Sequence, residues 1–196
     1  MDVAVIQYNA GNIRSLSFAL ERMSVSHVLT ADPDVIRSAR RVIFPGVGEA
    51  GSTMAFLKET GLDDVIRSLK QPVLGICLGM QLLCSYSEEN DTPCLGILDV
   101  PVKRIPSTPD LKVPHMGWNN LEGVRDWLNP SLEGSHAYFV HSFYVPETVY
   151  TVAVCDYGVK VSASLRKDNF FAVQFHPEKS ADTGRTVLES FMKATV

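Results

Sequence analysis

Cysteine is scarce in this chain, and its four copies, Cys77, Cys84, Cys94 and Cys155, include no CxxC pair. That spacing argues against a metal knuckle or a redox dithiol, and a reducing compartment keeps all four as thiols. No two histidines stand at helical metal-ligand spacing, so no metal is expected, and nothing calls for a cofactor. No apolar run approaches the roughly 18 residues of a membrane-spanning helix. The start Met1-Asp2-Val3-Ala4-Val5-Ile6 also lacks the basic segment and small-residue cleavage site of a secretion signal, which leads to the expectation of a cytoplasmic protein without a membrane role. Excess positive charge is missing too: the net charge is -4 and no Lys/Arg cluster reverses it locally, which disfavours nucleic acid as a partner. Repeats, low-complexity tracts and linkers are absent. At 196 residues and 45% hydrophobic content, one domain spanning 1–196 is expected, with small molecules or proteins as partners.

The first half alternates short apolar runs with helical patterns. Strands are expected at 2–8, 26–31, 41–44 and 71–76, and helices at 12–24, 33–40, 53–69 with a break at Gly61, and 78–86. This is the pattern of an α/β fold with an open, mostly parallel twisted sheet flanked by helices. From Gly96 onward strand-like segments at 100–105, 136–145, 149–155 and 159–165 follow one another with few helical patterns, so an antiparallel extension of the sheet is expected. Strand 170–175 and a helix at 182–193 close the chain.

The most informative segment is Gly75-Ile76-Cys77-Leu78-Gly79, a thiol between two glycines where a buried strand meets a helix. Such a strand-turn-helix elbow exposes a nucleophile on a strained backbone and points helix N–H groups at it. Alone, the window also fits a structural cysteine at an apolar helix start. A thiol nucleophile needs a base, and the base an orienting group. The strand 170–175 stops at His176-Pro177-Glu178, where proline ends the strand and holds the imidazole and the carboxylate close together. In an open α/β sheet, Cys77 and His176 would meet at the carboxyl edge of the strands. By itself, His-Pro-Glu also fits a plain strand end. Donors for a developing oxyanion are available from the amide of Leu78 and from Val47 in the turn Phe44-Pro45-Gly46-Val47-Gly48. Gly46 and Gly48 allow the backbone to approach a substrate, although Pro-Gly-x-Gly is an ordinary turn as well, and it matches no dinucleotide or phosphate-loop pattern. Cys84 and Cys155 read as core residues. His141-Ser142-Phe143 could line a polar pocket or belong to a half-buried strand.

These motifs together resemble the class I, triad-type glutamine amidotransferases. The elbow continuing through Met80-Gln81-Leu82-Leu83, the Pro45-Gly46-Val47-Gly48 turn and Gln174-Phe175-His176-Pro177-Glu178-Lys179-Ser180 occur in that family's order across nearly the whole chain. The resemblance implies the flavodoxin-like fold of that family and a Cys77-His176-Glu178 triad hydrolysing L-glutamine to glutamate and ammonia through a γ-glutamyl thioester. It also implies that Gly48, Gln81, His141, Ser142 and Phe143 help bind glutamine. Val113-Pro114-His115-Met116-Gly117-Trp118-Asn119 and Asn12-Ile13-Arg14-Ser15 look like the glutaminase subunits of imidazole glycerol phosphate synthases, which serve histidine biosynthesis. That resemblance implies a separate cyclase subunit, a (β/α)8 barrel, which takes up the ammonia within a heterodimer. Asn12, Trp118 and Lys179 are candidates for the face toward it, with Trp118 equally readable as a core aromatic.

The chain departs from the family pattern at Gln7-Tyr8-Asn9-Ala10-Gly11-Asn12 and at Glu49, where a small residue is usual. Two further readings stay open: the same chemistry serving another synthase, such as that of anthranilate or pyridoxal phosphate, and a non-catalytic regulatory subunit of the same fold.

Overall fold

The computed structural model describes residues 1–8, 13–108 and 111–195. The first half runs β1 (Val3–Ile6), α1 (Ile13–Arg22), β2 (His27–Thr30), α2 (Pro33–Ser38), β3 (Arg41–Phe44), α3 (Ala50–Thr60), α4 (Leu62–Ser68), β4 (Val73–Ile76) and α5 (Leu78–Leu83). Helix starts follow local chemistry. Asp32 caps α2 by accepting from the amides of Asp34 and Val35, with Pro33 at the first helical position. Glu49 caps α3, accepting from Gly51 at 2.6 Å and Ser52 at 2.8 Å, so the helix begins three residues before the expected Thr53. The unusual Glu49 therefore has a structural task. Gly61, at φ 71°, ends α3 and opens α4, which is the expected break.

The second half contains β5 (Tyr86–Ser87), β6 (Thr92–Pro93), β7 (Pro101–Arg104), β8 (His115–Asn120), β9 (His136–His141), β10 (Phe143–Tyr144), β11 (Thr151–Asp156), β12 (Lys160–Lys167), β13 (Phe170–Val173) and α6 (Ala181–Lys193). Among the described residues the main sheet has seven strands in the order β11-β12-β13-β4-β3-β1-β2. Neighbours from β13 to β2 are parallel, and β12 and β11 add antiparallel strands at one edge. The expected α/β fold with an antiparallel extension is thus present. β1, β3, β4 and β13 are covered on both faces. Val5, Ile43, Leu74 and Phe171 face one core layer, and Ile6, Val42, Val73 and Ala172 the other.

Three expectations need correction. The segment 136–145 is two strands in different small sheets: β9 pairs with β8, and β10 with β7, with Ser142 at the junction accepting from the amide of Ile105. The segment 115–120 is a strand that the sequence reading left unassigned. The helix expected at 78–86 stops at Leu83, and Tyr86 already pairs with Pro93 and Pro101.

Register sets the working edge. Val173 lies opposite Ile76 and Phe44 opposite Gly75, so the chain leaves β3, β4 and β13 at nearly the same level.

Candidate active site

Cys77 sits at φ 51° and ψ -110°, a conformation that costs a non-glycine residue about 1–3 kcal/mol and persists only when neighbours enforce it. Its amide donates to the Val173 carbonyl at 2.8 Å, and its own carbonyl accepts from the Gln81 amide at 3.1 Å, which pins the turn from both sides. Behind it the backbones nearly touch. A Cβ on Gly79 would stand 2.0 Å from the Phe44 carbonyl oxygen, and one on Gly46 would stand 2.1 Å from the Gly79 nitrogen. Gly46, expected to meet substrate, instead seats the 44–48 turn against the elbow and is not among the residues that line the cavity.

His176 follows β13. Its amide donates to Tyr138, and its carbonyl accepts from the Ser180 hydroxyl at 2.7 Å. Its Nδ1 lies 2.8 Å from Glu178 Oε1, with both side chains almost wholly buried. Burial alone would lower the imidazole pKa; the neighbouring Cys77 and Glu178 outweigh it and raise the value from 6.5 to about 10. Among the described residues Nε2 of His176 is buried with no hydrogen bond of good geometry, while the influence of Cys77 on the imidazole pKa places the thiol beside the ring. The thiol instead donates to the Val140 carbonyl at 3.8 Å.

Cys77 and His176 open into one cavity of about 380 Å³, lined also by Val47, Gly48, Leu78, Gln81, His141, Ser142 and Phe143, which the sequence had singled out. Glu89, Pro114 and Val140 complete it unforeseen. Glu89 comes from the polar run Ser87-Glu88-Glu89-Asn90-Asp91, where nothing marks it above its acidic neighbours. Its Oε2 accepts from the Ala50 amide at 2.8 Å, and burial raises its pKa. Gln81 donates to the Phe143 carbonyl at 2.8 Å and to Gln174 Oε1 at 3.0 Å. His141 Nδ1 donates to the same Phe143 carbonyl at 2.8 Å.

The remaining cysteines are buried with pKa values raised chiefly by desolvation: Cys94 to about 11, Cys155 to about 12, and Cys84 further still. Burial thus makes Cys94 a core residue like the other two. Trp118 is 54% exposed on β8 beside Met116, also exposed, which overturns the core-aromatic reading. Its ring meets Tyr138 edge-on, and Lys179 Nζ lies 5.8 Å from the centre of the Tyr138 ring. Asn12 lies outside the described residues.

A buried thiol on an elbow, facing an imidazole braced by a carboxylate, is the apparatus of acyl transfer. Solved structures share the fold. One described as a glutamine amidotransferase superposes with a TM-score of 0.73 at 21% identity, covering 96% of this chain and 98% of that one. Another glutamine amidotransferase, from Thermotoga maritima, gives 0.64 at 19% identity, covering 97% and 82%. The sequence match is to the family Glutamine amidotransferase class-I over residues 5–194. The chain belongs to that family.

Among its relatives is the imidazole glycerol phosphate synthase subunit HisH of Bacteroides thetaiotaomicron, 56% identical over 194 residues, 98% of this chain and 99% of the relative. The protein of the same name from Idiomarina loihiensis is 44% identical over 198 residues, covering both chains fully.

Proposed function

We propose that this chain is the glutaminase subunit of an imidazole glycerol phosphate synthase, working as one domain in the cytoplasm. It hydrolyses L-glutamine and hands the ammonia to a cyclase. The observation that carries the reading is the cavity onto which Cys77 and His176 both open, with Glu178 held 2.8 Å from His176 Nδ1. In the proposed reaction the Cys77 sulfur attacks the side-chain carbonyl carbon of glutamine and its proton passes to His176 Nε2. The Glu178 carboxylate holds the ring from Nδ1 and stabilises the cation. The carbonyl oxygen, now an anion, takes hydrogen bonds from the backbone amides of Val47 and Leu78. Collapse expels the nitrogen, protonated by His176, as ammonia and leaves a γ-glutamyl thioester on Cys77. Water deprotonated by His176 then cleaves the thioester, releasing glutamate and restoring the thiol.

The same cavity offers binding groups. Glu89 is the acidic group suited to the substrate's α-ammonium. Gly48, Gln81, His141, Ser142 and Phe143 form the rest of the bed, and Gln81 keeps its carbonyl oxygen as an acceptor because both its N–H groups are engaged internally.

The partner in this reading is a (β/α)8-barrel cyclase in a heterodimer. It converts a phosphoribulosyl formimino carboxamide ribotide into imidazole glycerol phosphate and an aminoimidazole carboxamide ribotide. Ammonia in neutral water is mostly ammonium and no nucleophile, so enclosure between the subunits preserves it. The exposed Trp118, with Lys179 and Asn12 proposed alongside it, forms the face toward the cyclase. The names carried by the relatives favour this acceptor over an anthranilate or pyridoxal phosphate synthase. The test is glutamate release with and without the purified cyclase and its ligand, for wild type and Cys77→Ala. Loss of glutamate in the variant, with added ammonium still driving the cyclase, is expected. Undiminished release from Cys77→Ala would remove the mechanism.

A further inference from the structure

Gln174 is fully buried one residue beyond β13, and the mechanism above gives it no part. An amide in that position is costly unless its polar atoms are paired, so its partners carry information. Its Nε2 lies 3.7 Å from Cys77 Sγ, and its Oε1 accepts from Gln81 Nε2 at 3.0 Å. Chemistry fixes which end of each amide is which. The Phe143 carbonyl can only accept, so the Gln81 group 2.8 Å from it is the NH2. The second hydrogen of that NH2 demands an oxygen from Gln174, which turns the Gln174 NH2 toward the sulfur.

The Phe143 carbonyl is itself held on its other lone pair. His141 Nδ1 donates to it at 2.8 Å, which leaves His141 Nε2 as an acceptor for the His115 Nδ1–H at 3.0 Å. Desolvation keeps both rings neutral, lowering the pKa of His141 to about 3, with His115 adding to the effect, and that of His115 to about 4. Neutral rings are what this directional chain requires.

The sulfur therefore has two polar neighbours with opposite preferences. The Val140 carbonyl accepts from the S–H and favours the thiol. Once the proton moves to His176 that contact turns repulsive, and the Gln174 N–H remains as a donor aimed at a negative sulfur.

We infer that Gln174 is a catalytic residue whose side-chain amide stabilises the Cys77 thiolate, its donor aimed by the chain Gln81, Phe143 carbonyl, His141 and His115. The inference rests on Cys77 being the nucleophile of the proposed reaction. His115 stands on β8, the strand that also carries Trp118, but its ring is buried on the opposite side of that strand from the exposed Trp118.

The experiment is alkylation of Cys77 by iodoacetamide, localised by mass spectrometry, from neutral to alkaline pH. Wild type is compared with Gln174→Met and with Gln174→Asn, whose amide is a methylene too short to reach both Gln81 and the sulfur. Near neutral pH both variants are expected to react about tenfold more slowly, the worth of one hydrogen bond to a charged group. At high pH, where thiolate forms regardless, the rates converge. A slowing equal at all pH values, or none, overturns the assignment. If neither variant melts cooperatively, the wild-type side-chain amide resonance of Gln174 decides: it must move over the pH range in which alkylation rises, and a stationary resonance overturns the assignment. Wild-type glutamate release with the cyclase is measured in parallel. Its absence overturns the glutaminase reading, whereas an alkylation profile indifferent to Gln174 overturns only the role given to that residue.

Discussion

His176 Nδ1 and Glu178 Oε1 stand 2.8 Å apart in a site where each residue's other polar atom, Nε2 and Oε2, is buried without a hydrogen-bond partner among the described residues. The pair is thus committed to one orientation. Glu178→Gln keeps the volume and removes the charge that helps hold the imidazolium. In the proposed mechanism kcat falls about 10²- to 10⁴-fold with little change in KM, as loss of an orienting carboxylate does elsewhere. The pH dependence has a definite sign. The folded-state pKa of His176 is raised, so the stability it contributes is complete below 6.5 and lost as pH climbs through about 10. The melting-temperature gap between wild type and Glu178→Gln is therefore expected to be widest near or below neutrality and to close in alkali. A gap that widens with pH contradicts this account.

Glu89 gives a prediction of the opposite kind. Its Oε2 already accepts from the Ala50 amide, and glutamine at this position can keep that bond, so Glu89→Gln removes charge from the cavity while leaving the local fold in place. If the carboxylate holds the substrate ammonium, KM for glutamine rises about tenfold, the worth of a charge-assisted hydrogen bond, with kcat close to wild type. Steady-state glutamate release in the presence of the cyclase distinguishes this from an equal loss in kcat, which would move Glu89 into the chemical step.

What could be read from sequence follows where backbone demands leave a local imprint. The elbow at Cys77 and the strand end at His176 are marked by glycine and proline, and the residues they flagged meet at one cavity. Glu89 reaches the site only through long-range packing, which no window of sequence encodes, and Gln174 and His115, though inside quoted motifs, gain their partners Gln81 and His141 only in the fold. β8 was illegible because its pattern is inverted: His115 is buried while Met116 and Trp118 face outward, so the period-two rule finds polar residues where apolar ones belong. The end of α5 was illegible because all six of its residues are buried, leaving no polar stripe to fade.

The contact between the elbow and the 44–48 turn predicts an intolerance at Gly79. A methyl group there meets the Phe44 carbonyl oxygen at 2.0 Å, and that atom belongs to backbone held in the central sheet. Neither side can yield cheaply. Gly79→Ala is expected to cost about 1–3 kcal/mol, the range of overpacked cores, and to abolish glutamate release by displacing Leu78 relative to Val47. Urea melts and activity assays read the two effects separately. A variant of wild-type stability and activity would show that the two segments can separate freely.

Trp118 carries the prediction about the partner. Its side chain is more than half exposed, and its edge-on contact with Tyr138 is the one ring contact described for it, so the isolated chain loses little when it is removed. A large exposed aromatic on a strand next to the catalytic edge fits a buried anchor of a protein interface, where truncation typically costs 2 kcal/mol or more, roughly a 30-fold loss of affinity. Trp118→Ala is therefore expected to leave the melting temperature within about a degree of wild type. Binding to the cyclase, followed by titration calorimetry, should weaken by that factor. Wild-type affinity in the variant would take Trp118 out of the interface and leave Lys179 and Asn12 to define it.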